Sequence, residues 1–264
     1  MGPRWWRQWW EAIPDQGVHV PTDYNAIAKQ YKRSKGAAFR VHTEVYSFMR
    51  LLGDVSDKSV LDLACGEGFY SRRVVQQGAG RVVGVDNSPA MIELAREAEH
   101  SEPLGVEYLV ADVKGLDLGE RFDLVVAAYL LNYASTPAEL AEMCSAIARH
   151  LRPGCRFVTV NSNPDIGSRQ VDYHKYGFER LVPADLREGS PYVFRNYQDG
   201  SSFDIINYQL DRATHDQAFR SVGLTGVRWV PSEISPDGEA SFGAQYWGVF
   251  LRDPPIILLE CHAT

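Results

Sequence analysis

The stretch VLDLACGEGFYS, residues 60–71, begins as a buried strand and breaks into a loop with only two glycines, Gly66 and Gly68. Those glycines let the backbone pass close to a ligand and turn tightly into a following helix. Ala64 stands where many nucleotide-binding loops carry glycine. A pyrophosphate laid on a helix N-terminus requires G-x-G-x-x-G. Here the residue three after Gly66 is Phe69, and Phe69-Tyr70 crowd the diphosphate position. Asp62 and Glu67 add negative charge where phosphates need the opposite. The loop therefore suits a cationic ligand without phosphate.

Strand-like runs recur on both sides of this loop, at 60–64, 81–86, 106–112, 122–128 and 156–161. Helical patterns separate them. One opens with Ser88 as cap and Pro89 in its first turn; another opens with Thr136 and Pro137 and is expected to stop at Pro153-Gly154. Near-continuous apolar strands alternating with helices mean a parallel sheet covered on both faces. The alternation fails after residue 161. Residues 164–212 are aromatic and turn-rich, with strand candidates at 192–198 and 202–210, and read as an inserted antiparallel cap. A helix near 213–222, a strand near 226–233 and the run PPIILLECHA return to the core. The fold expected is α/β: a doubly wound, mostly parallel seven-stranded sheet with an inserted cap. Residues 1–57 form an N-terminal helical lid, 58–163 and 213–264 the core, and 164–212 the cap.

Two helices precede the sheet. DYNAIAKQYKRS places Tyr24, Ile27, Ala28 and Tyr31 on one face, and HTEVYSFMRLLGD is amphipathic and closed by Gly53. At the start of the chain, Trp5/Trp9 and Trp6/Trp10 stand four apart, as on a short helix packed on its own domain or on a neighbouring subunit. A mobile lid over the pocket is the competing reading.

Bulk properties exclude several partners. The net charge of -7, with no Lys/Arg cluster, argues against nucleic acid. No apolar run approaches the ~20 residues of a membrane span. Cys65, Cys144, Cys155 and Cys261 show no paired spacing and read as reduced thiols of a cytoplasmic protein. A homodimer stays open.

In an open parallel sheet the ligand lies beyond the carboxyl ends of the strands. The first strand there offers Ala64, Gly66 and Gly68, the second Asp86, the third Asp112, and the fourth Ala128 and Tyr129. Asp86 is placed to accept from both ribose hydroxyls of an adenosine. Asp112 is placed to accept from the adenine amine, with the Val113 N–H offered to a ring nitrogen. Asn87 and Met91 follow Asp86 into the same wall. S-adenosylmethionine, an adenosine carrying a sulfonium and an amino-acid tail, meets these demands, with Asp62 beside the tail.

The series VLDLACGEG, VVGVD, VAD and FDLVVAAYLLNYA resembles the motifs of class I S-adenosylmethionine-dependent methyltransferases. The resemblance covers about residues 20 to 161 plus the closing helix and strands, and implies a Rossmann-like sheet. DYNAIAKQYKRSK, AAYLLNYA and YWGVFLRDPPIILLEC look like the toxoflavin-type N-methyltransferase group, which methylates ring nitrogens of azapteridine-like heterocycles. That resemblance implies that Tyr24 reaches the methionine portion, that Tyr31 sits near its carboxylate, and that Arg40 pairs with that carboxylate. An ordinary surface arginine is the competing reading of Arg40.

The acceptor follows by elimination. No N-P-P-Y follows strand four, no Pro-Cys nucleophile stands there, and Asp165 alone cannot hold Mg²⁺, so no metal is expected. A small, neutral, aromatic acceptor remains, with N-methylation favoured. Its expected walls are Tyr129, Asn132, Tyr133 and Asn161, the cap residues Tyr176, Tyr192, Asn196 and Tyr197, and Tyr246-Trp247. His174 is the candidate base. Alternatives are an O- or C-methyltransferase on a phenolic metabolite, an NAD(P)-dependent oxidoreductase, and a non-catalytic cofactor-binding regulator.

Overall fold

Strand order is what places the site. The computed structural model describes residues 22–198 and 200–264; the tryptophans at 5, 6, 9 and 10 lie outside the described residues. Seven strands form one sheet: β1 (Ser59–Leu63), β2 (Arg81–Asp86), β3 (Glu107–Val110), β4 (Phe122–Ala128), β5 (Leu151–Ser162), β9 (Leu224–Pro231) and β10 (Ile256–Ala263). Their order is β3-β2-β1-β4-β5-β10-β9. β1 pairs in parallel with β2 on one side and β4 on the other, so the winding reverses between β1 and β4. β10 runs antiparallel to both β5 and β9.

The central strands β1, β2, β4 and β5 are apolar on both faces. Val60, Val82, Leu124 and Val158 pack into one core layer, while their neighbours Leu61, Val83, Val125 and Phe157 pack into the other. Such burial on two sides is what a parallel sheet between helical layers requires. Helix α1 (Tyr24–Ser34) and α2 (Tyr46–Leu52) precede the sheet; α3 (Phe69–Gln76), α4 (Pro89–Ser101) and α5 (Pro137–Arg149) connect its parallel strands. α4 and α5 start as their sequences dictate. Ser88 Oγ accepts from Met91 N at 3.2 Å and Thr136 Oγ1 from Glu139 N at 3.2 Å, each followed by proline in the first turn.

The cap is a separate antiparallel sheet of β6 (Phe178–Leu181), β7 (Pro191–Gln198) and β8 (Ser201–Tyr208). Phe178 stacks on Phe194 within the cap at 5.4 Å and on Tyr173 at 5.0 Å, and Phe39 packs against Phe178 at 4.8 Å to join the cap to the body. Chain order then runs through α6 (Arg212–Ser221), β9, α7 (Pro236–Phe242), α8 (Ala244–Arg252) and β10.

Four local expectations change. Pro153-Gly154 does not end α5, which stops at Arg149; both residues lie in a bulge of β5, where pairing jumps from Phe122–Leu151 to Leu124–Arg156 and Gly154 takes φ +76°. Residues 40–45 form a π-helical turn ahead of α2 rather than continuing one amphipathic helix. β3 ends at Val110, which leaves Asp112 in the loop beyond it. The cap carries a third strand, β6, and helices α7 and α8 occupy a stretch for which no element is expected from the sequence.

Candidate active site

The loop after β1 is held by its neighbour strand. Cys65 N donates to Val85 O at 3.0 Å, and Gly66 N donates to Asp86 Oδ2 at 2.9 Å. Ser88 N donates to the other Asp86 oxygen at 2.8 Å. Asp86 is thus anchored through both oxygens at the end of β2, buried, and raised above the usual carboxylate range by that burial, with the two backbone N–H groups opposing. Ala64, Gly66 and Gly68 all take positive φ, and so does Tyr129 at the end of β4. Two non-glycine residues in this region, both at strand ends facing one cavity, mark a backbone held in place by its surroundings.

That cavity, of about 280 Å³, opens beyond the carboxyl ends of β1, β2 and β4. It brings together most of the residues expected to hold the cofactor. Ala64 and Gly66 come from the first loop, Asp86, Asn87 and Met91 from the second, Asp112 and Val113 from the third, and Ala128 from β4. Tyr24 and Tyr31 of α1 close it, together with Tyr129 and Tyr133. Asp112 stands exposed, its Oδ1 accepting from Lys114 N at 2.9 Å. Thr22, Lys114, Met143 and Tyr208 also line the space and carried no sequence signal.

Two expected cofactor residues lie elsewhere. Asp62 is buried beneath the loop, accepting from Ser71 Oγ at 2.6 Å, and burial pushes its carboxyl up to about 7. Arg40 is not a free partner for a ligand carboxylate, because its Nη1 is 2.8 Å from Glu44 Oε2 and both side chains are buried. Glu44 also accepts from Tyr70 Oη at 2.7 Å and Tyr129 Oη at 2.6 Å. Burial opposes its charge, but Arg40, Lys35 and the two phenols overcome this and hold Glu44 below the usual carboxylate range. Glu44 was missed; its only trace in the sequence is the four-residue spacing from Arg40.

Behind the first cavity lies a smaller one of about 30 Å³, enough for a water molecule or two. Tyr24, Tyr31, Tyr129 and Tyr133 line both spaces and form the partition. The Tyr24 and Tyr133 hydroxyls meet in a hydrogen bond across it, their rings perpendicular at 6.0 Å. Phe39, Arg40 and Ser162 line the inner side, and the cap contributes Phe194, Asn196, Ile205 and Asn207. Burial raises the phenol pKa of Tyr24, Tyr129 and Tyr133, so all three stay protonated at neutral pH.

The remaining expected acceptor residues do not reach either cavity. His174 is largely exposed on the cap, bound to Glu179 and stacked at 5.3 Å on Tyr197, itself exposed. That surface position corrects its candidacy as base and Tyr197's as wall. Tyr176 donates to Tyr246 O at 2.6 Å, and the fully buried Trp247 donates from Nε1 to Gly238 O at 3.0 Å. Tyr176, Tyr246 and Trp247 therefore pack the cap onto α7 and α8, where aromatic content reflects core packing. Tyr192 is buried beside Arg180. Asn132 and Asn161 are buried next to the inner space without lining it; Asn132 Nδ2 donates to Asn207 Oδ1.

The donor set can be tested against the cofactor. Asp86, at the end of β2, and Asp112, in the loop beyond β3, line the cavity, and both carboxylate oxygens of Glu67, beside Gly66, are buried without a hydrogen-bond partner. This negative surround favours a cation and opposes a diphosphate. Among the described residues no group of three His, Cys, Asp or Glu side chains is arranged to hold a metal, and no helix is long and apolar enough to cross a membrane.

Comparison with known proteins agrees with that chemistry. Residues 60–154 match the family described as a methyltransferase domain. N-demethylindolmycin N-methyltransferase of Streptomyces griseus is 30% identical over 195 residues, spanning 72% of this chain and 76% of its own length. Ubiquinone biosynthesis O-methyltransferase of Coxiella burnetii (strain Dugway 5J108-111) is 32% identical over 199 residues, spanning 74% and 78%. The crystal structure of an S-adenosylmethionine-dependent methyltransferase from Mesorhizobium loti superposes with a TM-score of 0.61 at 21% identity, covering 86% of this chain and 99% of that one.

Proposed function

This chain belongs to the class I S-adenosylmethionine-dependent methyltransferases, and from that membership we propose that it methylates a ring nitrogen of a small, neutral heteroaromatic metabolite. The enzyme takes its methyl group from S-adenosylmethionine, which supplies it on a sulfonium already activated for in-line displacement. In this reading Asp86 accepts from the ribose hydroxyls and Asp112 from the adenine amine. Asn87, Met91, Val113 and Ala128 flank the nucleoside, and Tyr24 and Tyr31 cover the methionine tail. The helices before the sheet act as a lid, and the cap forms the acceptor side.

The observation that carries nitrogen over oxygen is the lining of the inner cavity. Among the described residues that line it there is no Asp, Glu, His or Lys. Arg40 is neutralised by Glu44, and the phenols of Tyr24, Tyr129 and Tyr133 are held protonated. A phenolic acceptor must lose its proton to become nucleophilic, and nothing lining the cavity takes it. A ring nitrogen attacks with its own lone pair, so alignment and exclusion of water suffice. The resemblance to toxoflavin-type N-methyltransferases points the same way. An O-methyltransferase reading draws on the ubiquinone-biosynthesis O-methyltransferase relatives of Coxiella burnetii and Acinetobacter baylyi.

The test is incubation with methyl-labelled cofactor and a matched panel of planar N-heterocycles and phenols, with products identified by mass spectrometry. Label should appear on ring nitrogen. Transfer to phenols with every heterocycle untouched would reverse the assignment.

A further inference from the structure

From the cap's inner face we infer that Asn207 selects the acceptor, requiring a hydrogen-bond acceptor such as a carbonyl oxygen, rather than an amine, as the ring substituent it faces, and that Asn132 positions Asn207 for this. The inference rests on the inner cavity being the acceptor site. Strand alternation places Tyr192, Phe194 and Asn196 of β7 on one face with Phe203, Ile205 and Asn207 of β8, in register as Tyr192–Asn207, Phe194–Ile205 and Asn196–Phe203. The cap's contribution to the cavity is therefore an apolar strip, Phe194 and Ile205, with an amide at each end. Apolar surface holds a flat ring without choosing among rings of equal size; the amides must choose.

Asn207 differs from Asn196 in being tied to a side chain of another element, whereas Asn196 Nδ2 donates only to Phe194 O of its own strand, at 3.5 Å. Asn207 is 3% exposed, and its Oδ1 accepts from Nδ2 of Asn132, itself 6% exposed in the short turn after β4. With the oxygen of Asn207 engaged on the Asn132 side, its –NH₂ is the end left for the cavity it lines. A buried donor facing an acceptor molecule that lacks a matching lone pair goes unsatisfied, and that mismatch rejects the wrong edge. Asn132 touches no ligand; it sets which end of Asn207 is presented.

The experiment uses the full chain loaded with S-adenosylhomocysteine and two probes of equal shape, quinazolin-4-one, with a carbonyl edge, and 4-aminoquinazoline, with an amine edge. Binding is measured by calorimetry. The wild-type protein should favour the ketone about tenfold, the size of one buried hydrogen bond. Asn132→Asp can only accept from Asn207, so the Asn207 amide turns over, presents its oxygen and reverses the preference. Asn207→Asp keeps the bond from Asn132 and also shifts preference toward the amine. Should a buried carboxylate at 132 impair folding, Asn132→Ala frees the Asn207 amide to rotate and brings the ratio close to one. S-adenosylhomocysteine affinity verifies the fold of each variant. An equal or amine-favouring wild type, or a ratio unmoved in variants that retain S-adenosylhomocysteine binding, overturns the inference while leaving the acceptor site in place. Failure of both probes to bind the wild type removes the acceptor-site reading and this inference with it.

Discussion

Beneath the cofactor loop, Gly68 is pinned by a side chain from another strand. A Cβ built on Gly68 comes 2.1 Å from Tyr108 Oη, and φ is +79°. Gly84 on β2 has the same neighbour, its Cβ position 2.8 Å from Tyr108 Cδ1. Tyr108 thus lies across two glycines with its hydroxyl buried and unpartnered. Gly68→Ala is expected to cost about 1–3 kcal/mol through overpacking and backbone strain. Adding Tyr108→Phe removes the nearest atom and should restore part of that loss in denaturant titrations; no recovery would place the strain elsewhere. The glycine at 68 was legible in VLDLACGEG, but its reason was not, since Tyr108 is forty residues away in chain order and gives no local signal. Asp62 shows the same limit. Its carboxyl is raised from 3.8 to about 7 by burial, with Ser71 opposing. The folded state therefore binds this proton more tightly than the unfolded chain does. The stability it contributes is full below pH 4 and is lost as pH rises to about 7. The stability difference between wild type and Asp62→Asn should change across that window, approaching about 1.4 kcal/mol per pH unit. A flat difference from pH 4 to 7 would contradict the assignment.

At the scale of elements, the partition between the cavities is built from α1 and the turn after β4, joined by the Tyr24–Tyr133 hydroxyl bond. The inner cavity, at about 30 Å³, admits no ring until this partition parts. Tyr133→Phe removes the bond and makes the open state about 1 kcal/mol easier to reach. Acceptor KM should then fall up to about fivefold, because apparent affinity scales with the competent fraction, while S-adenosylhomocysteine affinity stays within about threefold. Unchanged KM with a large loss of cofactor affinity would put Tyr133 on the cofactor side instead. Elements with local start signals were readable: Ser88-Pro89 and Thr136-Pro137 open α4 and α5, and both caps form. Ser235-Pro236 opens α7 by the same device, yet its seven residues are too few for a periodic face to show. The π turn at 40–45 was not readable, because it keeps a helix-like apolar spacing while turning Arg40 and Glu44 inward together.

For the whole molecule, the parallel sheet was legible because its central strands are apolar on both faces, and the site followed because strand ends at a winding reversal must converge. The cap was different. Its aromatic residues could face the cavity or the body, and alternation alone does not say which; Tyr176 proved to be packing, while Phe194 lines the inner cavity. The larger cavity joins α1, the sheet and the cap, since Tyr24, Asp86 and Ile206 all line it. A ligand there therefore adds a further tie among parts that already meet through the partition, the aromatic seam and bonds such as Asn25 to Ser88 and Thr22 to Ile206. At a hundredfold excess over Kd, S-adenosylhomocysteine adds about 2.7 kcal/mol to stability. For a chain of this size that raises Tm by roughly 5–10 °C. Asp86→Ala withdraws the bonds to a charged acceptor and should weaken binding by about 1.5–3 kcal/mol. It also frees Gly66 N and Ser88 N, so the unliganded protein loses some stability as well. The informative quantity is thus the ligand-induced rise in Tm, which should largely vanish in the variant at the same ligand concentration. A variant whose baseline Tm drops while the full rise persists would show Asp86 to be a structural anchor of the loop and leave the ribose to another residue.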